Sequence, residues 1–177
     1  MRPVRRYKMQ FEPAVPLTLL TIHPILRRAG RNMKFSTIIL SAALSLLPFF
    51  ACGTQLSYDT AYDNPKGKLS SVACSDGSHG FLTRGYTTFD TLPLYPHIGG
   101  SDIVKGWNSP NCGSCHQLTY TNGTGAKSSI NVLVIDVATE GFNVAQAAMN
   151  ELTGGYAAEI GIGSVTVKQV KPSACGL

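Results

Sequence analysis

Four cysteines, Cys74, Cys112, Cys115 and Cys175, lie downstream of an apolar leader in this 177-residue chain. The leader runs MKFSTIILSAALSLLPFFACG from Met33. Met33 and Lys34 form a short basic start, an apolar run extends from Phe35 to Phe50, and small residues follow at Ala51 and Gly53. That order predicts a secretory signal peptide over 33–53, cleaved after Gly53. Retention as a membrane anchor is the competing reading. It is the weaker one, because the run is at the short edge for a bilayer span and Pro48 sits near its end. Cleavage removes Cys52 and leaves an even number of cysteines in a small exported domain. The expectation is two disulfides in one of three connectivities. Residues 1–32, with Pro3, Pro13, Pro16 and Pro24 among scattered arginines, fit no signal peptide. They read as a misplaced start upstream of Met33 or as a basic extension. The fold is therefore sought in residues 54–177 alone, a length suited to one domain.

The net charge of +5 invites a nucleic-acid reading, but its distribution argues against one. Eight of the fifteen basic residues lie before Thr54, with only Glu12 to oppose them. The remainder carries seven basic and nine acidic residues, a net of −2. No basic face of the kind nucleic acid requires can be assembled from it. Nor does a second long apolar run occur, which excludes a multi-span membrane protein.

Within 54–177 the apolar segments are short and glycine is dense, with 16 of the chain's 18 glycines. Strands are expected at Leu56–Thr60, Leu69–Ala73 and His116–Thr121. Asn122-Gly123 then signals a hairpin. Ile130–Val137 (INVLVIDV) is almost wholly apolar and β-branched, the pattern of a central strand buried on both faces. Ile160, Ile162, Val165, Val167 and Val170 suggest one or two more strands, with a bulge near Gly163-Ser164. A helix is expected at Val144–Leu152, capped by Asn143 and ended by Gly154-Gly155. Phe81–Pro110 reads as ordered loop with at most one helical turn. Together these give a small, mainly β, disulfide-stapled barrel with one or two short helices.

Cys112-Gly113-Ser114-Cys115-His116 matches the attachment sequence of c-type haem. A haem site needs a distal ligand and a helical setting, yet a Thr- and Tyr-rich strand follows at once. A thioredoxin-type site needs the pair to open a helix. Zinc needs two more ligands at paired spacing. The reading that best fits the context is two structural disulfides to distant partners, with no cofactor and no metal.

Several motifs then occur in a characteristic order. They are Ser57-Tyr58-Asp59-Thr60-Ala61-Tyr62-Asp63, Ser71-Val72-Ala73-Cys74-Ser75-Asp76-Gly77 with His79-Gly80, Gly106-Trp107-Asn108-Ser109-Pro110, Cys112-Gly113-Ser114-Cys115 and Gly141-Phe142-Asn143-Val144. In order and spacing they closely resemble the cerato-platanin family over essentially all of 54–177. The resemblance implies a secreted fungal protein with a six-stranded double-psi β-barrel akin to the first domain of expansins. It implies pairing of Cys74 with Cys112 and of Cys115 with Cys175. It also implies binding of chitin-type oligosaccharides without hydrolysis, loosening of cellulosic material, and perception by plants as an elicitor. The chain departs from the family at Val137-Ala138-Thr139-Glu140, where relatives carry a more glycine-rich run.

By the same resemblance a shallow groove is centred on Asp136, at the end of the central strand. Asn143, Phe142, Asp76, Gly77 and His79 would flank it. A carboxylate after an apolar strand needs polar partners or water, which fits either a groove or a buried network. Asn143 equally fits a helix cap, and His79 equally fits a solvent-facing turn. Trp107, the single tryptophan, reads as a half-buried core anchor first and a sugar platform second. Tyr58 and Tyr62 read as packing. A glucanase on this barrel would need a second carboxylate about 6.5–9.5 Å from Asp136; Asp59, Asp76, Asp90 and Asp102 are the candidates. Asn122-Gly123-Thr124 is an N-glycosylation sequon on the expected hairpin tip. Expected partners are GlcNAc oligomers or other β-linked glycans and a plant receptor, with neither nucleic acid nor membrane. A monomer that self-assembles at interfaces is the expected state, and a surface-active wall protein is the third functional reading.

Overall fold

The computed structural model describes residues 53–177; the expected extension at 1–32 and the leader up to Cys52 lie outside the described residues. Six strands close into a barrel: β1 (Thr54–Tyr58), β2 (Ile98–Ser101), β3 (Cys115–Thr121), β4 (Lys127–Val137), β5 (Phe142–Val144) and β6 (Gly163–Val170). Their order around the barrel is β1-β5-β2-β4-β3-β6. Two neighbouring pairs are parallel, β1 with β5 and β2 with β4; the other pairings are antiparallel. Closure leaves no exposed sheet edge. Two short helices, α1 (Gln146–Thr153) and α2 (Ala157–Ile160), connect β5 to β6. Among the described residues no helix is long and apolar enough to cross a membrane.

β4 is the spine of the fold. Val132 to Ile135 are fully buried in succession, so both faces of this strand are covered, as its apolar sequence predicts. Leu56, Leu118, Phe142 and Val144 join them in one continuous core with Phe81, Leu69, Met149 and Leu152. Cys74 bonds to Cys112 and Cys115 to Cys175, spanning 38 and 60 residues. Both sulfurs of the C-x-x-C pair are therefore committed to distant partners, one upstream and one at the C-terminus. In the chain-entropy account each loop closure stabilises the fold by about 4 kcal/mol.

Three local expectations are corrected. Leu69–Ala73 is not a strand; Leu69–Ser71 form a 3-10 turn, touched by an isolated bridge between Lys68 and Thr88. The region read as loop contains β2, whose sequence Ile98-Gly99-Gly100-Ser101 carries no strand periodicity. A Cβ on Gly99 would lie 2.4 Å from the Asn143 carbonyl oxygen, and one on Gly100 2.5 Å from that of Val137. The glycines let β2 wedge between β4 and β5, which is why composition argued for loop. Finally, Ile160 ends α2 and Gly161 caps it, so the parity change before β6 is a helix end rather than a bulge.

Candidate functional site

Register places the site. Gly100 of β2 pairs with Asp136 of β4 on one side and with Asn143 of β5 on the other. Asn143 pairs in turn with Ser57 of β1. Register thus brings Ser57, Asn143, Gly100 and Asp136 together across four strands, but the ladder shifts between Gly99 and Gly100, so Asp136 keeps the parity of Val134 while Asn143 and Ser57 take the opposite one. Phe142 and Val144 are buried while Asn143 between them is half-buried, and Asp136 is half-buried directly after the buried run from Val132 to Ile135. Gly100 between them is buried against the Val137 carbonyl, and the two polar residues stand two strand spacings apart, about 9–10 Å.

Asp136 is held by three donors. Its Oδ1 accepts the backbone N–H groups of Ala73 and Val137, each at 2.8 Å. Its Oδ2 accepts the Tyr62 hydroxyl at 3.1 Å. Burial and the adjacent Asp136 charge push the Tyr62 hydroxyl far above the ordinary tyrosine range, so it stays protonated and donates. Two strands away, the Ser57 hydroxyl donates to Asn143 Oδ1 at 3.2 Å. That leaves the Asn143 amide nitrogen as a donor. One neighbour of Gly100 is an oriented anion, the other a neutral amide backed by a hydroxyl.

Ala73 joins this cluster to a second element. Its carbonyl accepts from Asn108 N at 3.4 Å. Asn108, at φ 56° in the left-handed region that asparagine tolerates, accepts His79 N–H at its Oδ1 (2.9 Å). The His79 ring nitrogen Nδ1 lies 3.2 Å from the Asn108 carbonyl oxygen. Gly77, at φ 81°, is packed so closely that a Cβ would lie 2.6 Å from Asn108 Oδ1. Trp107 Nε1 donates to Asp76 Oδ1 at 2.5 Å, and the indole is 64% exposed. A surface hollow of about 410 Å³ runs along this turn from Lys105 to Asn111.

The expected site residues thus divide. Asp136 and Asn143 are the two register partners of Gly100. Asp76, Gly77 and His79 come together on the Trp107-Asn108 turn, with Ala73 as the link. Phe142 does not belong: it is 3% exposed, faces the barrel interior and packs on His116 with ring centroids 5.3 Å apart. Trp107 is corrected from core anchor to surface aromatic. Asn143 does not cap the helix, for it lies within β5. The cap comes from Asp63, whose carboxylate accepts Gln146 N–H and Ala147 N–H at 2.9 Å each. Sequence reasoning missed Ser57, Tyr62, Gly100 and Asn108. For Tyr62 there was no signal, since 74 residues separate it from Asp136. For Asn108 the Trp-Asn-Ser-Pro turn was the available clue.

Comparison with known proteins is decisive here. The cerato-platanin family profile matches residues 54–177. The chain belongs to the cerato-platanin family. It is 46% identical over 150 residues to the heat-stable 19 kDa antigen of Coccidioides immitis (strain RS), covering 82% of this chain and 99% of that one. It is 35% identical over 143 residues to cerato-platanin of Ceratocystis fimbriata f. sp. platani, covering 81% and 96%. Among solved structures, cerato-platanin 2 from M. perniciosa aligns at TM-score 0.67 and 47% identity, covering 71% of this chain and 99% of that one. The solution structure of the fungal elicitor cerato-platanin aligns at TM-score 0.59 and 35% identity, covering 68% and 95%.

Proposed function

We propose that this cerato-platanin family member is a secreted, non-catalytic binder of β-linked glycan chains, with GlcNAc oligomers as the preferred class. The observation that carries this reading is the polar cluster that register brings to Gly100, a carboxylate held by three donors on one neighbouring strand and an amide on the other. Sugar hydroxyls can donate to Asp136, and the acetamido and ring oxygens can accept from Asn143. Trp107 is joined to Asp136 through its neighbour Asn108 and Ala73, and its exposed indole offers an apolar face of the kind that packs on sugar C–H surfaces. The groove is open, so it buries little of its ligand and binds weakly. Recognition by plants as an elicitor, and loosening of cellulosic wall material, extend this reading from the family; the solved relative is itself named a fungal elicitor.

Hydrolysis is less well supported. An inverting mechanism needs a proton donor beside a water-activating base. Each candidate second carboxylate already accepts bonds from this chain: Asp59 from Ala61 N, Asp76 from Trp107, Asp90 from Lys66 and Thr88, Asp102 from Gly141 N. A surface-active wall protein is the second reading, favoured by exposed Trp107, Val137, Tyr156 and Ile162.

The test is retention on chitin beads with Trp107→Ala and Asp136→Asn variants, alongside a reducing-end assay. The proposal predicts that both variants elute earlier than the parent and that no reducing ends form. Release of reducing ends, abolished in Asp136→Asn, would show a hydrolase. Unchanged retention of both variants would remove the groove from the account.

A further inference from the structure

We propose that Asn122 carries an N-linked glycan whose first sugar lies in the hollow beside it. Asn122 opens the five-residue loop between β3 and β4, and residues 121–129 are all exposed. The loop is closed by Asn122 N–H to the Ala126 carbonyl and Gly125 N–H to the Asn122 carbonyl, both at 2.9 Å. Gly125, not Gly123, supplies the left-handed residue, at φ 84°. The side-chain oxygen of Asn122 accepts three bonds: Thr124 N at 3.0 Å, Thr124 Oγ1 at 2.7 Å and Ala126 N at 2.9 Å.

An aspartate would accept those three bonds equally well, so the loop itself makes no use of the amide nitrogen. Among the described residues Nδ2 bonds to nothing. It points from an exposed tip, and the Thr124 hydroxyl that a sequon requires is already engaged with the side chain it serves. Transfer needs a lipid-pyrophosphate-linked oligosaccharide as co-substrate. The bond from sugar C1 to the phosphate oxygen breaks, and the electron pair leaves with the pyrophosphate. C1 bonds to Nδ2, which gives up a proton.

A hollow of about 300 Å³ beside the loop is lined by Asn122, Tyr120, Thr153, Tyr156, Glu159 and Ile160. Tyr156 is 61% exposed and Tyr120 half-buried. A sugar tethered at Nδ2 begins at the rim of this hollow, where two aromatic rings and the Glu159 carboxylate match the apolar face and hydroxyls of a GlcNAc residue. This inference rests on the secretory reading of 33–53 and not on the groove at Asp136.

The full chain with its own leader is expressed in yeast and sought in both medium and cells. Intact mass should show a ladder of hexose spacings that peptide N-glycosidase collapses, leaving aspartate at 122. Thr124→Ser should keep the ladder; Thr124→Ala and Asn122→Gln should lose it. Enzymatic release from the folded protein should be about fivefold faster in Tyr156→Ala, the factor of one aromatic contact. Secreted protein without the ladder overturns the site, and equal release rates overturn the seating. Protein confined to the cytosol also overturns the site, because Asn122 then never meets the transferase. Chitin retention of the Asn122→Gln protein reports separately on the groove.

Discussion

Replacing Asp136 tests whether one carboxylate both builds the groove wall and ties the 73–80 segment to the barrel. Asp136→Ala removes the acceptor for Ala73 N–H, Val137 N–H and the Tyr62 hydroxyl. A hydrogen bond to a charged partner contributes about 1.5–3 kcal/mol, and a donor left without a partner costs more when buried. Val137 is exposed and water can replace its bond, so the Ala73 and Tyr62 bonds dominate. The expected loss is about 3 kcal/mol. Asp136→Asn keeps a neutral oxygen for the two N–H groups but turns Oδ2 into an amide nitrogen, so the Tyr62 hydroxyl must accept instead of donate; the reversed bond and the lost charge assistance together cost about 1 kcal/mol. For a domain of this size 1 kcal/mol moves Tm by about 4 °C, giving losses of about 12 °C and 4 °C. Calorimetry at neutral pH reads both. Equal losses for the two variants, or an Asp136→Ala loss under about 2 °C, would refute the tethering role. The amide exchange of Ala73 localises the effect: it should accelerate strongly in the alanine variant only.

Three further outcomes follow from other parts of the structure. His116 is buried at the barrel interior with Nδ1 unpartnered, and desolvation lowers its pKa. Its Nε2 lies 3.1 Å from Ser114 Oγ, its ring packs on Phe142, its cross-strand partners are Val132 and Gln169, and burial alone accounts for the shift. The unfolded chain binds the proton more readily, so this contribution to stability is complete above the ordinary histidine pKa near 6.5 and is lost as pH falls below it. His116→Gln should flatten the slope of Tm between pH 6.5 and 5; an unchanged slope contradicts the assignment. Asp63→Ala should cost about 1–2 kcal/mol and speed exchange of the Gln146 and Ala147 amides, whereas Asp63→Asn should retain most of the cap. Gly99→Ala places a methyl 2.4 Å from a carbonyl oxygen across the β2–β5 pairing. It should cost at least about 1–3 kcal/mol, read as a lower denaturant midpoint with an unchanged slope.

Local chemistry made part of this molecule legible. The β4 strand announced itself because a strand covered on both faces has no polar alternation to confuse it. The end of α1 was visible in Gly154, which adopts the left-handed conformation that glycine permits. The start was not, because Asp63 caps it from 83 residues away while Asn143, the local candidate, is taken up by strand pairing. β2 stayed hidden because its glycines serve the backbones of neighbouring strands rather than a periodic face. The site followed the same division. Asp136 was readable as a polar residue ending an apolar strand. The meeting of Asp136 and Asn143 with Gly100, and the Tyr62 donor, exist only through long-range pairing, which no single segment encodes. Trp107 misled because an aromatic in a glycine- and proline-rich turn fits a core anchor as well as a surface platform.

The most direct measurement is amide and indole chemical-shift mapping of the folded domain during titration with GlcNAc tetramer at neutral pH. The groove account predicts saturable shifts at Ser57, Gly100, Asp136 and Asn143, with the Trp107 indole and the Asp76–His79 turn moving at the same midpoint. The tetramer should remain uncut. Shifts confined to the Tyr156 hollow, or none with ligand at millimolar concentration, would contradict it.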